Sequence, residues 1–134
     1  MKKVLLALLP ALLGWTSVHA QTADSIRKAN ARKPVAAVET GVASYYHSKF
    51  QGRTTASGEK YDEKKMTAAH NRLPFGTYVR VTNLRNKRSA IVRINDRLHH
   101  RNTRLIDLSR AAAAKQGYIA RGLTRVKVEV LRDK

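Results

Sequence analysis

Residues 77–97 read TYVRVTNLRNKRSAIVRINDR. On an extended backbone, successive side chains point to opposite faces. Val79 and Val81 therefore share one face, and Tyr78, Arg80 and Thr82 the other. After LRNKR, where Asn86 suits a turn, Ala90, Val92 and Ile94 again fall on one side. The stretch predicts an antiparallel hairpin with one apolar face and Asp96 at its far end.

The same two-residue period recurs in TRVKVEVL (124–131), which sets Val126, Val128 and Val130 against Arg125, Lys127 and Glu129. GVASYY (41–46), small, β-branched and aromatic, reads as a first strand, and RLIDLS (104–109) as another. HSKFQGRTTASGEKYDE (47–63) suits an exposed, shaped loop around Gly52 and Gly58. KKMTAAH (64–70) predicts a short helix, stopped by the restriction that Pro74 places on Leu73. Ser109 is placed to cap a helix over RAAAAKQ, and Gly117 to end it. Many short strands, few helices and no regular βαβ alternation indicate a compact, mainly β barrel.

Residues 1–20 have the layout of an export signal: MKK, then the apolar VLLALLPALLGW, then VHA ending at Ala20. The apolar run is short for a membrane span. The chain has no Cys, so neither a lipid attached through Cys nor a disulfide is expected. The expectation is an exported chain beginning at Gln21, periplasmic or secreted, with a flexible basic leader over 21–37 and one domain over 38–132. The formal charge is +18, which bears on partners rather than fold. With an export signal and no nucleic-acid motif, the expected polyanion is cell-wall material rather than nucleic acid. No amphipathic membrane helix is seen in the exported part, so stable membrane insertion is not expected. A monomer is.

Glu59, Asp62, Glu63 and His70 lie within twelve residues of a chain with only nine acidic residues. A barrel can bring Glu59, Asp96 and Asp107 to one mouth despite their spacing. Cleaving a glycosidic bond needs a proton donor at the leaving oxygen and a group that stabilises the anomeric centre. The ordinary alternatives are that Glu59 caps a turn, Asp96 pairs with Arg93 or Arg97, Asp107 caps the Ala-rich helix, and His70 is a core histidine. His47, His99, His100 and Asp96 raise a metal site, but no ligand spacing supports one, and adjacent His residues point apart on a strand. No metal or other cofactor is expected. Arg97, Arg101 and Arg104 could hold anionic groups. Of Tyr45 and Tyr46, one could stack on a sugar while the other packs inside.

In series, GVASYYHSKFQGRTTASGEKYDEKKMTAAHNRLPFGTYVRVTN, VRINDR and RLIDLSRAAA resemble the rare lipoprotein A family of septal-ring lytic transglycosylases, over roughly residues 41–131. The resemblance implies a six-stranded double-psi β-barrel with one or two short helices, a fold shared with expansins. It implies binding to peptidoglycan glycan strands and non-hydrolytic cleavage of the MurNAc–GlcNAc β-1,4 bond to leave 1,6-anhydro ends. Motif by motif it implies Asp96 as the acid–base, with Glu59 and His70 tuning or positioning it and Asp107 bracing the site. Tyr46, Asp62, Arg97 and Arg104 are expected on the substrate side. Where the family continues its NDR motif with Gly-Pro, this chain has Leu98, His99 and His100. A septal-targeting repeat is not expected after the barrel. The rival expectation is an expansin-like module that binds glycan without cleaving it.

Overall fold

The computed structural model describes residues 35–132. The expected export signal and most of the expected leader lie outside that range. The elements in chain order are β1 (Val35–Tyr45), a 3₁₀ turn (Ser48–Phe50), β2 (Thr67–Ala69), β3 (Tyr78–Asn83), β4 (Ser89–Asp96), β5 (Ile106–Leu108), α1 (Arg110–Gln116) and β6 (Thr124–Leu131). The six strands close into a barrel in the order β1-β5-β2-β4-β3-β6.

The predicted hairpin is β3–β4, with Val79 opposite Val92 and Val81 opposite Ala90. Its inward residues Val79, Val81, Ala90, Val92 and Ile94 are all buried, as are Val126 and Val128 of β6. Ile106, Leu108, Ala43 and Ala68 complete the interior from the remaining strands. β1 begins at Val35, three residues inside the expected leader, because residues 35–43 pair antiparallel with β6. Its other edge runs parallel to β5, with Ala43 beside Ile106 and Tyr45 beside Leu108. Gly41 marks a close approach there. A Cβ built on it would lie 2.8 Å from Leu105 Cβ, closer than carbon atoms pack.

The expected helix over KKMTAAH is instead strand β2. Thr67, Ala68 and Ala69 are all buried, parallel to β4 on one side and antiparallel to β5 on the other. Asp62 absorbs the charged residues before it in a turn: Lys64 N–H donates to its side chain and Lys65 N–H to its carbonyl. Tertiary pairing overrides a segment too short to hold a helix on its own.

α1 follows the sequence reading. Ser109 Oγ accepts from Ala112 N–H, and Gly117 closes the helix at φ 76°. The helix buries Ala112, Ala113 and Gln116. Gln116 donates to the Val81 carbonyl at 2.6 Å, and Tyr118 O–H donates to that of Ser44 at 2.9 Å. These bonds tie the helical segment to two strands of the barrel.

Candidate active site

A cleft of about 570 Å³ opens where β1, β2, β4 and β5 bring their ends together. Tyr45 enters it from β1 and Tyr46 from the residue just after, Ala69 from β2, Asp96 from β4 and Asp107 from β5. Lys49, Phe50 and Arg53 line it near the 3₁₀ turn, and Arg97, Leu98 and His99 line it after β4. A larger groove of about 700 Å³ is lined by Val42, Leu84, Arg85, Arg121, Leu123, Thr124 and Arg125. It offers no carboxylate, histidine or phenol for acid–base work.

Asp96 is held at both carboxylate oxygens. Oδ1 accepts the backbone N–H groups of Ala56 at 2.9 Å and Arg97 at 2.8 Å. Oδ2 accepts the Tyr46 hydroxyl at 2.5 Å, a short, charge-assisted bond. Burial and the neighbouring Asp96 push the Tyr46 phenol far above its ordinary range, so it stays protonated. The Tyr46 ring stacks on Tyr61 at 4.4 Å and meets Phe50 edge-on at 6.0 Å. Asp96 thus takes Arg97's backbone N–H rather than its guanidinium, and makes no pair with Arg93.

Arg93 is taken by Glu59, with two bonds of 2.7 and 2.6 Å. Those bonds to Arg93, aided by Asn95, hold the Glu59 carboxyl down at about 2, so Glu59 is ionised near neutral pH. It does not line the cleft, and its influence runs through the loop it anchors. Thr55 N–H donates to the Glu59 carbonyl, and Ser57 N–H donates to that of Asn95. Gly58, at φ 91°, makes the tight turn between them. The TASGE motif thereby holds Ala56 N–H against Asp96.

His70 is buried, and its ring partners Glu39 rather than any of the three expected carboxylates. Its Nδ1 accepts the backbone N–H groups of Arg72 and Leu73, which leaves Nε2 as the protonated nitrogen, 3.3 Å from Glu39 Oε2. Burial lowers the His70 pKa, and Glu39 opposes the shift. The His70 and Leu73 carbonyls accept from Arg97 Nη1 at 2.7 and 2.8 Å. The guanidinium also lies 4.0 Å over the Phe75 ring. Arg97 therefore clamps the chain around the site rather than presenting an unengaged cation to a ligand.

Asp107 lines the cleft but is paired with Arg104 through bonds of 2.9 and 3.0 Å, and Ser109, not Asp107, caps α1. Asp62 shapes its turn and does not line the cleft. Arg101 is exposed and is not part of the cleft wall. His99 and His100 lie in a loop, not on a strand, and their rings approach to 4.2 Å instead of pointing apart. Among the described residues, no three His, Asp or Glu gather as metal ligands. Leu98 fills the place after Arg97, buried with its N–H on Asn71 Oδ1 at 2.8 Å.

The lytic transglycolase family model matches residues 38–128, the span that supplies every strand of this cleft. The chain belongs to the lytic transglycolase family. It is 55% identical over 94 residues to the endolytic peptidoglycan transglycosylase RlpA of Haemophilus influenzae, covering 70% of this chain and 33% of that protein. The chain spans about a third of the length of the curated relatives it matches. Among solved structures, the Streptomyces papain inhibitor superposes with a TM-score of 0.60 at 24% identity, covering 75% of this chain and 99% of that one. The Clavibacter michiganensis expansin gives 0.58 at 23% identity, covering 73% and 52%. The expected double-psi barrel is therefore the fold this family member has.

Four residues in or around the cleft escaped the sequence reading. Tyr61 stacks on Tyr46 and accepts Arg110 N–H through its hydroxyl. Lys49 and Arg53 flank the Phe50 ring at 5.3 and 5.2 Å, which makes the rim cationic. Glu39 partners His70 from 31 residues away. The spacing of aromatics in YYHSKFQGR and EKYDE was the one visible hint of a shared aromatic wall.

Proposed function

We propose that this chain is an endolytic peptidoglycan transglycosylase, exported by its first twenty residues, cleaved near Ala20–Gln21, and active as a monomer in the periplasm or outside the cell. The observation that carries the reading is the setting of Asp96. Two backbone donors occupy Oδ1, so a proton on this carboxyl resides on Oδ2, inside a cleft with aromatic walls and a cationic rim. In the proposed reaction Asp96 protonates the bridging oxygen of a MurNAc–GlcNAc bond. The resulting carboxylate then takes the proton of the muramoyl C6 hydroxyl as that oxygen attacks C1. The C1–O4 bond breaks, the C1–O6 bond forms, and no water is consumed.

Asp107, paired with Arg104, braces the neighbouring wall, and the Glu59–Arg93 and His70–Glu39 pairs hold the loops around Asp96. The high positive charge draws the domain to an anionic wall. The test is mass spectrometry of purified peptidoglycan, intact and peptide-stripped, after incubation with the mature chain or its Asp96→Asn variant. New 1,6-anhydromuramoyl ends with the unmutated protein alone support the assignment. Binding to glycan without new ends replaces it with a non-catalytic wall-binding module.

A further inference from the structure

The proposed reaction asks Asp96 to change charge twice on one oxygen, and that oxygen already has a partner. We propose that Tyr46 is the positioning residue of the reaction: its phenol O–H, donated to Asp96 Oδ2, stabilises the carboxylate formed when the bridging oxygen takes its proton. This rests on the reading of Asp96 as the acid–base and goes beyond a sugar-contacting role for Tyr46.

The argument is one of alternation. When Asp96 is protonated, Oδ2 is a poorer acceptor for the Tyr46 hydroxyl than the carboxylate that takes the 2.5 Å bond. Once the proton passes to the leaving O4, Oδ2 carries charge and the bond strengthens. An interaction stronger in the charged state than in the resting state lowers the barrier rather than merely tightening binding. When the C6 hydroxyl proton arrives on Oδ2, the bond weakens again and the starting state is restored. Tyr46 exchanges no proton in this cycle: the proton lost by the C6 hydroxyl balances the one gained by O4.

The phenol is aimed by its surroundings. Tyr61 stacks one face of the Tyr46 ring and Phe50 approaches edge-on, so the hydroxyl has little freedom to leave Oδ2. Other titratable or charged groups around it are accounted for. Asp107 is neutralised by Arg104, Arg97 is turned to the His70 and Leu73 carbonyls, and Tyr61 accepts from the Arg110 backbone. Lys49 and Arg53 flank the Phe50 ring, His47 Nδ1 accepts Lys49 N–H, Tyr45 donates to the Ile119 carbonyl, and His99 is on the cleft wall with its Nδ1 accepting Arg101 N–H. None of them is bonded to Asp96 Oδ2 among the described residues; Tyr46 is.

Tyr46→Phe keeps the ring and its packing and deletes only the donor. Losing a hydrogen bond to a charged group lowers kcat about tenfold, leaves KM within about twofold, and moves the alkaline limb of the kcat/KM profile up by about one pH unit. The direction follows from the donor favouring the carboxylate: without it, Asp96 keeps its proton to higher pH. The experiment measures that profile on peptide-stripped glycan. It also follows the Asp96 side-chain carboxyl by ¹³C NMR titration of both proteins without glycan. An upward shift of the Asp96 midpoint in Tyr46→Phe, matching the kinetic limb, supports the proposal. An unmoved midpoint overturns it and leaves Tyr46 a packing residue. Raised KM with unchanged kcat overturns it in favour of sugar contact. If the unmutated chain makes no anhydro ends, the transglycosylase reading fails separately, and the NMR comparison still decides whether Tyr46 governs Asp96.

Discussion

The antiparallel wall of β1, β3, β4 and β6 and the inner pair β2 and β5 reach their places by different means. The wall strands have six to eleven residues, and their buried and open positions alternate clearly in β3 and β4. An Arg80–Glu129 pair bonds across β3 and β6 at 3.1 Å. β2 and β5 have three residues each and depend on neighbours for position. Yet β5 carries Asp107, β2 delivers His70, and the register of β2 on β4 sets Ala69 beside Asp96. Length and alternation supply the stability of this fold; the short, wedged strands complete the cleft beside the Asp96 that β4 carries.

The strongest challenge to that division is Asp96→Asn. It lowers formation of anhydro ends about a thousandfold, with thermal unfolding close to that of the unmutated protein. If the variant unfolds instead, site and scaffold are not separable. The converse change lies in the wall: Val128→Ala, deep in the interior, costs about 2 kcal/mol in urea unfolding and leaves turnover per folded molecule intact. Gly41→Ala tests the joint between the regions. The new methyl meets Leu105, two residues before Asp107, and overpacking there costs about 1–3 kcal/mol while also lowering turnover. A loss of stability with full turnover would show that β5 absorbs the strain without disturbing the cleft.

Two finer changes sharpen the picture at the loops. Glu59→Gln frees Arg93 and loosens the loop that delivers Ala56 N–H, lowering turnover about tenfold with little effect on unfolding, as for one lost charge-assisted bond. A loss equal to that of Asp96→Asn would make Glu59 a direct participant. His70 gives the smallest effect and a pH signature. Its folded pKa lies below the ordinary 6.5 because it is buried, so its contribution to stability is fully present above 6.5 and declines as pH falls toward the lower folded value. Protonation would place an N–H at Nδ1, against the donors of Arg72 and Leu73. His70→Asn removes the titrating group, and urea midpoints measured across this interval lose part of their acid-side slope. An unchanged slope would assign it to other groups.

Legibility in the sequence follows the same boundary. Val79, Val81, Val92, Ile94, Val126 and Val128 announce their strands because one face is interior and the other is not. Ser109 and Gly117 announce α1 because capping is local chemistry. Thr67-Ala68-Ala69 announces nothing, since three residues buried together show no period. In the site, Asp96 and Asp107 share one cleft, the convergence a closed barrel permits. Glu59 and His70 are taken by Arg93 and Glu39, partners 34 and 31 residues distant that no local pattern announces. The Ala56 N–H on Asp96 had no signature at all, because any non-proline residue carries that donor.

The closed strand order has a consequence in time. The β3–β4 hairpin joins neighbours in sequence, but β1 pairs with β5 and β6, at the far end of the chain. Such distant pairings form slowly, since long loops must close before contacts reward them. Tyr46 and Asp96, 50 residues apart, meet only when that circuit is complete. A nascent chain holds all the residues of the cleft and none of its geometry, so the Tyr46–Asp96 contact exists only when folding ends.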